Sequence, residues 1–254
     1  MSGVLDKVVI VTGAASNPGL GYSIALLLAA RGARVVATDL DGVGAEDCAV
    51  AIRAAGGTAI GLRHDVTSEQ EWLSVMDTTV HTFGRLDVLV NNAGIAVLKR
   101  TEELTLDDWN RQITTNLTSV FIGSKLAMEQ MKTSGGGSII NMSSVAGLVG
   151  MKRCVAYGAS KGGVRAMSKS IAMDGAEYNI RCNSVHPGVI WTNMQAAATG
   201  SRSISDARAA PERVPLGRPG LPEDIAHCVL YLASTEANYV TGAEFTVDAG
   251  MTAQ

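Results

Sequence analysis

The chain has 254 residues and a formal net charge of −3 at pH 7, a length that one α/β domain with a large core can reach. No cluster of Lys and Arg interrupts the sequence, which argues against nucleic acid or a membrane surface as a partner. The four cysteines are far apart and the four histidines lack ligand partners at metal-binding spacing, so we expect neither disulfides nor a bound metal.

The first residues pass into an apolar strand without the charged and apolar regions of a signal peptide. No apolar run approaches the length of a membrane span. We therefore expect a cytoplasmic protein.

Short β-branched runs alternate with longer amphipathic stretches, a pattern typical of βαβ units and a parallel sheet. The predicted strands are Val8–Val11, Arg34–Ala37, Ala59–Leu62, Leu86–Val90, Ser138–Asn141, Arg181–Val185 and Glu244–Val247. The predicted helices are Gly21–Arg31, Val43–Ala55, Glu69–Phe83, Leu106–Lys132, Ala156–Tyr178 and Pro222–Leu232. Because the strands are uniformly apolar, they need cover on both faces. The prediction is an α/β fold: one Rossmann-type domain over residues 1–254, with a doubly wound, seven-stranded parallel sheet and helices on both faces.

The least regular stretch is Asn193–Pro219, with three prolines towards its end. Irregular segments of this length in compact domains are usually functional or disordered. We interpret it as a mobile substrate-binding lid, with an ordinary surface loop as the alternative.

A glycine-rich turn follows the first predicted strand. Glycines at 13, 19 and 21 would let the backbone approach a pyrophosphate at the N-terminus of the next helix. Asp39 closes the second strand, where a carboxylate can accept hydrogen bonds from ribose hydroxyls and repel a 2′-phosphate. Asp39 could instead cap the strand end, and Asp41 could share its role. With no Arg or Lys in the loop or just after Asp39, the pattern favours NAD over NADP.

Tyr157 and Lys161 are four residues apart, so a helix would place the phenol and the ammonium on one face. A phenol titrates near pH ~10, and bringing that pKa close to neutrality takes about 4 kcal/mol. An ammonium about 4 Å away supplies on the order of that amount. The pair therefore predicts a tyrosine that acts as a base, although such a spacing also arises by chance on solvated helices.

Several motifs agree in order and spacing. They are N91-N-A-G94, H64-D-V66, T115-N-L-T118, S143-S144, Y157-x-x-x-K161 and P187-G-V-I-W-T192. Together with the glycine loop, they make the chain resemble the classical short-chain dehydrogenases/reductases from about Lys7 to Met251. The chain departs from the family pattern in two places. Five residues separate Gly13 from Gly19 where the family usually has three, and D248-A-G250 replaces the common DGG.

The resemblance implies a set of site residues. The expected catalytic residues are Ser144, Tyr157, Lys161 and Asn116, the last holding a water that links the lysine to solvent. The expected cofactor contacts are Gly13, Ser16, Asn17, Gly19, Leu20, Gly21, Asp39, Leu40, Asp65, Val66, Asn92, Ala93, Gly94, Tyr157, Lys161, Pro187, Gly188, Ile190 and Thr192. The expected substrate wall contains Ile95, Val145, Cys154, His186, Trp191 and Met194. His186 could instead be a loop or packing histidine, and Cys154 is interpreted as part of the wall in preference to a reactive group. Lys152 and Arg153 could either bind an anionic substrate or form a solvated loop edge.

The resemblance further implies an NAD-dependent oxidoreductase that interconverts a secondary alcohol and its ketone. The segments N179–M194 and S138–G147 look most like bacterial enzymes that oxidise cyclic secondary alcohols or hydroxysteroids, which favours a bulky substrate. A 3-oxoacyl thioester reductase and a catalytically silent dinucleotide-binding protein are the competing hypotheses. The resemblance also implies a homotetramer. Apolar residues on more than one face of the helices at 106–132 and 156–178 suggest burial beyond one subunit, and the alternative is that these faces are covered within the monomer.

Overall fold

The computed structural model describes residues 3–199 and 214–253. Its sheet contains β1 (Val8–Thr12), β2 (Arg34–Asp39), β3 (Thr58–Arg63), β4 (Val88–Asn91), β5 (Gly137–Met142), β6 (Ile180–Pro187) and β7 (Glu244–Val247). All seven strands are parallel, in the order β3-β2-β1-β4-β5-β6-β7. The predicted seven-stranded doubly wound sheet is confirmed.

The helices are α1 (Leu20–Ala30), α2 (Gly42–Ala54), α3 (Glu69–Phe83), α4 (Leu106–Ile113), α5 (Ser119–Thr133), α6 (Val155–Gly175), α7 (Asn193–Thr199) and α8 (Pro222–Ala233). Local capping fixes several boundaries. Ser68 accepts a hydrogen bond from the Glu71 amide at the start of α3, and Gly84 ends that helix in the left-handed conformation. None of these helices is long and apolar enough to cross a bilayer, as far as the described residues go.

Two apolar cores lie on opposite faces of the sheet because side chains alternate along each strand. On β1, Val9 and Val11 pack against α1, α2 and α8, whereas Ile10 faces the opposite core with residues of α3 and α5. On β4, Val90 likewise belongs to the core that contains Val9, and Leu89 belongs to the core that contains Ile10. Burial on both faces explains why the strands read as continuous apolar runs.

The stretch predicted as one helix from Leu106 to Lys132 is divided. Residues Thr114–Thr118 form a π-helical segment between α4 and α5. Asn116, which is fully buried there, accepts a hydrogen bond from the Ile95 amide (2.8 Å) and donates one to the Ile95 carbonyl oxygen (2.9 Å). The amide side chain therefore bonds to a neighbouring loop at the wide turn, a position where π-bulges often mark function.

The predicted lid is only partly described. Its first residues form α7, and Pro219 lies just before α8. Residues 200–213 of that stretch lie outside the described part of the chain, so the lid stays a prediction.

Candidate active site

A cleft of about 260 Å³ opens where β1, β4, β5 and β6 end. β1 and β4 are neighbours whose connections leave in opposite directions, the point at which open α/β sheets bind ligands. Most of the predicted cofactor residues line this cleft: Gly13, Ser16, Gly19, Leu20, Asp39, Asn92, Ala93, Gly94, Tyr157, Lys161, Pro187, Gly188, Ile190 and Thr192. Sequence motifs spread over 180 residues thus converge on one surface.

The glycine loop is shaped for close backbone approach. Gly13 has φ +70°, and a Cβ there would lie 2.9 Å from the Ala93 Cα. A Cβ at Gly21 would overlap the Gly13 carbonyl oxygen, so Gly21 packs against the loop instead of lining the cleft. Gly19 precedes α1 and provides no side-chain cap. The first amide groups of α1 are therefore free of a capping side chain, a feature that suits a phosphate.

The two asparagines after β4 have different tasks. The Asn92 side chain donates to the carbonyl oxygens of Thr12 (2.8 Å) and Gly13 (3.1 Å), which fixes the loop after β4 against the loop after β1. Asn91 is buried and donates to Asn141 on β5 (2.8 Å). Asn91 therefore stabilises the centre of the sheet, and Asn92 shapes the wall of the cleft.

A second pocket adjoins the cleft and shares five lining residues with it, namely Gly13, Asp39, Ala93, Gly94 and Ile95. Leu40, Asp65 and Val66, three further members of the predicted cofactor set, line this second pocket. Hydrogen bonds from Thr67 hold the pKa of the Asp65 carboxyl below its usual value. The continuous surface, the glycine turn and the carboxylates fit an extended dinucleotide.

Asp39 is held firmly at the junction of the two pockets. Its carboxylate accepts from the amides of Ala15 (3.0 Å) and Asp41 (3.1 Å). Asp41 itself caps α2 through the Gly44 amide. Arg63 stands next to Asp39 in the β2–β3 register, but its guanidinium binds both oxygens of Glu71 (2.8 and 2.9 Å).

Ser144, Tyr157 and Lys161 meet at one end of the cleft. Ser144 leaves the end of β5, and its hydroxyl accepts a hydrogen bond from the Ala146 amide (3.2 Å) and is hydrogen-bonded to Tyr157. Lys161 Nζ donates to the Met142 carbonyl oxygen (2.7 Å) and lies 5.8 Å from the centre of the Tyr157 ring. The predicted approach of the three groups is present, but the lysine's hydrogen bond goes to the backbone of β5.

Burial controls the protonation of this group. It raises the pKa of the Tyr157 hydroxyl, an effect that the hydrogen bond with Ser144 only partly offsets. It also lowers the pKa of Lys161 to about 8. The sequence predicted a lowered pKa for Tyr157. The groups of the protein alone do not lower it.

The remaining predicted residues divide between the cleft and its surroundings. Ile95 and Met194 line it, whereas Val145, Cys154, His186 and Trp191 lie outside the lining that the described residues form. Asn116 is buried behind Ile95. Asn17, an addition of the lengthened loop, lines a separate groove beside α1.

Some residues at the site were not among the predicted site residues. Met142 and Ser143 line the cleft, and the Ser143 hydroxyl donates to the Lys161 carbonyl oxygen (2.8 Å). Asn193 at the start of α7 bonds to the lengthened glycine loop, its side chain donating to the Ser16 hydroxyl (3.1 Å) and the Asn17 carbonyl oxygen (3.2 Å). Their nearness to Ser144 in the sequence could have indicated Met142 and Ser143 as site residues, whereas no spacing rule indicates Asn193.

Comparison with known proteins bears directly on this arrangement. The family model described as enoyl-(acyl carrier protein) reductase matches residues 13–252. The chain belongs to the short-chain dehydrogenase/reductase family. The resemblance inferred from the motifs is thus confirmed, and with it membership in a family of oxidoreductases that bind a nicotinamide dinucleotide.

Three relatives match nearly the whole chain. The NADP-dependent (R)-specific alcohol dehydrogenase of Lentilactobacillus kefiri is 44% identical over 98% of this chain and 97% of its own. The cyclopentanol dehydrogenase of Comamonas testosteroni is 42% identical over the full length of both. The 3-alpha-(or 20-beta)-hydroxysteroid dehydrogenase of Mycobacterium tuberculosis is 40% identical over 100% of this chain and 92% of its own.

Among the described residues, metal-binding side chains are not clustered at the site. In residues 3–199 and 214–253, no group of three His, Cys, Asp or Glu side chains is placed to hold a metal ion. The cleft presents the Ser144 hydroxyl, the Tyr157 phenol and the Lys161 ammonium.

Proposed function

We propose that this protein is an NAD-dependent dehydrogenase that interconverts a bulky secondary alcohol and its ketone. One observation carries the proposal: Ser144, Tyr157 and Lys161 converge in a cleft. That cleft continues into a surface formed by the glycine-rich turn and Asp39. Relatives that match the whole chain are named as alcohol and hydroxysteroid dehydrogenases, which supports the same reaction class here.

Each of the three polar side chains has a distinct role in the proposed reaction. The Ser144 hydroxyl, which the Ala146 amide holds in place, orients the substrate oxygen and stabilises the charge that develops on it. Tyr157 removes the alcohol proton during oxidation and returns it during ketone reduction. Lys161 adds a positive charge near the tyrosine ring, and in the proposed complex it also bonds the cofactor ribose. When bound, the dinucleotide supplies the hydride acceptor or donor.

The choice of NAD rests on the charges around Asp39. Its carboxylate would repel a 2′-phosphate, whereas the Asp41 carboxylate accepts a hydrogen bond from the Gly44 amide as the cap of α2. Arg63 is the neighbouring cation in the β2–β3 register, and Glu71 already occupies its guanidinium. The NADP dependence of the Lentilactobacillus relative makes this assignment worth a direct test.

The test measures NADH and NADPH affinity by fluorescence titration and turnover with each oxidised cofactor. The wild type should bind NADH at least about tenfold more tightly, since about 1.4 kcal/mol of repulsion is enough for that ratio. Asp39→Asn should lose most of the preference. Asp41→Asn is the matched control and should keep it. Tighter NADPH binding by the wild type would refute the NAD assignment.

The substrate class follows from the apolar members of the cleft. Ile95, Met142 and Met194 line it together with the polar pair Ser144 and Tyr157. This composition suits an alicyclic, aryl or steroid-like alcohol. Assays that follow NADH absorbance with cyclopentanol, cyclohexanol, an aryl-alkyl alcohol and a hydroxysteroid would rank them, and activity only on small linear alcohols would contradict the proposal.

Two other functions compete with this one. The description of the matching family model names an acyl-carrier reductase, but the net charge of −3 offers no basic surplus for an acidic carrier. A catalytically silent protein would not need the Ser144, Tyr157 and Lys161 group. Tyr157→Phe separates the last case, because unchanged turnover would exclude the proposed base.

Assembly as a homotetramer is part of the proposal. α5 exposes Phe121 and α6 exposes Met173, the latter at 65% of its surface, and large apolar side chains on helix surfaces are often covered by another subunit. Light scattering coupled to size-exclusion chromatography would test it, and a monomer at micromolar concentration would refute it. The cytoplasmic location stays a prediction.

A further inference from the structure

His186 lies directly behind Ser144, not in the wall of the cleft. It belongs to β6 and is fully buried. One ring nitrogen, Nδ1, lies 3.3 Å from the Ser144 carbonyl oxygen, and the other, Nε2, lies 2.8 Å from the Ser184 hydroxyl oxygen. The histidine therefore connects the residue two positions before it on β6 to the backbone of Ser144.

The partners of the ring determine where its proton resides. A carbonyl oxygen can only accept, so Nδ1 must carry the hydrogen and donate it to Ser144. In the neutral ring Nε2 is then an acceptor, and the Ser184 hydroxyl donates to it. Burial lowers the pKa of His186, which keeps this neutral form in place. Both ring nitrogens are thus satisfied inside the protein.

The chain turns away from the sheet at Ser144, just after β5. The preceding residue, Ser143, still donates its amide hydrogen to the Val185 carbonyl oxygen on β6 (2.8 Å). After that point the Ser144 carbonyl oxygen accepts from the Gly147 amide (2.9 Å) and from His186. Rotation of this peptide group would turn the Ser144 side chain with it. The hydrogen bond from His186 to the carbonyl oxygen therefore restrains the Ser144 hydroxyl, which faces Tyr157.

We propose that His186 is a positioning residue that sets the orientation of the Ser144 hydroxyl through the Ser144 carbonyl group. The inference rests on the proposed function, in which Ser144 holds the substrate oxygen. The sequence-based expectation that His186 contacts substrate is replaced by a role behind the site.

Two substitutions separate the two hydrogen bonds of the ring. His186→Asn places an amide nitrogen near the Nδ1 position and can still donate to Ser144. His186→Gln reaches towards the Nε2 position and retains the contact with Ser184 instead. Each variant loses one buried hydrogen bond, so both should be destabilised, and only the glutamine variant should release Ser144.

The kinetic readout is the separation of kcat from KM. His186→Gln should lower kcat by about tenfold to 100-fold, the range expected when a reacting group is slightly misplaced, with dinucleotide affinity unchanged. His186→Asn should restore most of kcat although its melting temperature is also lowered. Equal losses in the two variants, or losses that follow the melting temperature, would overturn the proposal.

Crystal structures of both variants provide a second test that does not depend on turnover. The Ser144 carbonyl and hydroxyl groups should be displaced in His186→Gln and stay in place in His186→Asn. An unmoved Ser144 in the glutamine variant would refute the positioning role. Absence of wild-type turnover on every alcohol would instead count against the proposed function, and the crystal structures would still decide the role of His186.

Discussion

Lys161 Nζ lies 5.8 Å from the centre of the Tyr157 ring and gives its hydrogen bond to the Met142 carbonyl oxygen at 2.7 Å. The ammonium is thus anchored to the end of the strand that leads to Ser144, with the tyrosine beside it. Since burial lowers the pKa of Lys161 to about 8 and raises the pKa of Tyr157, the positive charge of the site is held at a cost in stability.

That cost should be visible in the pH dependence of unfolding. The pKa of Lys161 falls from 10.5 to about 8 on folding, so between these values the unfolded chain binds more protons and stability rises with pH. Below pH 8 the full penalty of about 3 kcal/mol is present, and it disappears as the pH passes 10.5. Lys161→Met has no such penalty, so without cofactor the wild type should gain stability relative to it as pH rises from 8 to 10.5.

Urea unfolding of the two proteins at several pH values measures this difference. Lys125→Met is the matched control, because Lys125 is about half exposed and paired with Glu69 on the surface. Its difference from wild type should stay nearly constant over the same range. A constant difference for Lys161→Met as well would mean that the buried lysine titrates normally.

The raised pKa of Tyr157 predicts opposite pH profiles for the two directions of the reaction. Oxidation needs the deprotonated phenol, so its rate should rise from pH 7 towards pH 10. Ketone reduction needs the protonated phenol and should stay constant or fall. Steady-state assays in both directions measure these profiles, and Tyr157→Phe should lower both rates by at least about 100-fold. An oxidation rate that is already constant at pH 7 would show that the bound cofactor brings the tyrosine pKa down to neutrality.

The sequence predicted the sheet closely because its signals are local. All seven strands and the six main helices arise from apolar periodicity and turn residues, and each lies within two residues of its predicted bounds, apart from the C-terminal end of α6 and the π-helical interruption at Asn116. That interruption depends on a hydrogen bond between Asn116 and the Ile95 backbone, a contact between residues 21 positions apart. Hydropathy patterns do not contain such contacts.

The site was predictable as far as motifs determine it. Ser144, Tyr157 and Lys161 occupy the cleft because their spacing reflects the fold. The role of His186 was not predictable, since a histidine beside a proline and a glycine fits a cleft wall as well as the buried core. Only the packing of β6 against the end of β5 shows that His186 lies behind Ser144.

The lengthened glycine loop should couple cofactor binding to α7. The Asn193 side chain donates to Ser16 and Asn17, and its amide donates to the Pro18 carbonyl oxygen (3.1 Å). Asn193→Ala removes the two side-chain bonds at the surface, each worth about 0.5–1.5 kcal/mol. It should therefore weaken dinucleotide affinity and raise KM for the alcohol together, by about threefold to tenfold.

Fluorescence titration with NADH and initial-rate kinetics measure both quantities. Asn238→Ala, an exposed asparagine after α8, is the control and should change neither. A rise in KM for the alcohol with unchanged dinucleotide affinity would show that α7 acts on the substrate alone.

The turn after β7 contains a residue in an unfavourable backbone conformation. Ala249 has φ +57°, in the left-handed region. The turn is held around it, because Asp248 accepts hydrogen bonds from the Gly250 and Thr252 amides (2.9 and 2.8 Å). A left-handed alanine costs about 1–2 kcal/mol, and part of that is recovered when glycine replaces it. Ala249→Gly should therefore stabilise the protein by about 0.5–1 kcal/mol and raise its melting temperature by about 2 °C.

The neighbouring glycine should respond in the opposite sense. Gly250 has φ +88°, and a Cβ there would lie 3.3 Å from two atoms of Pro215. Gly250→Ala adds both the backbone strain and this close contact, so it should lower the melting temperature. Thermal unfolding of the two variants beside wild type tests the pair. A lower melting temperature for Ala249→Gly would mean that the loss of the Ala249 methyl group outweighs the relief of backbone strain, because that methyl group is only partly exposed.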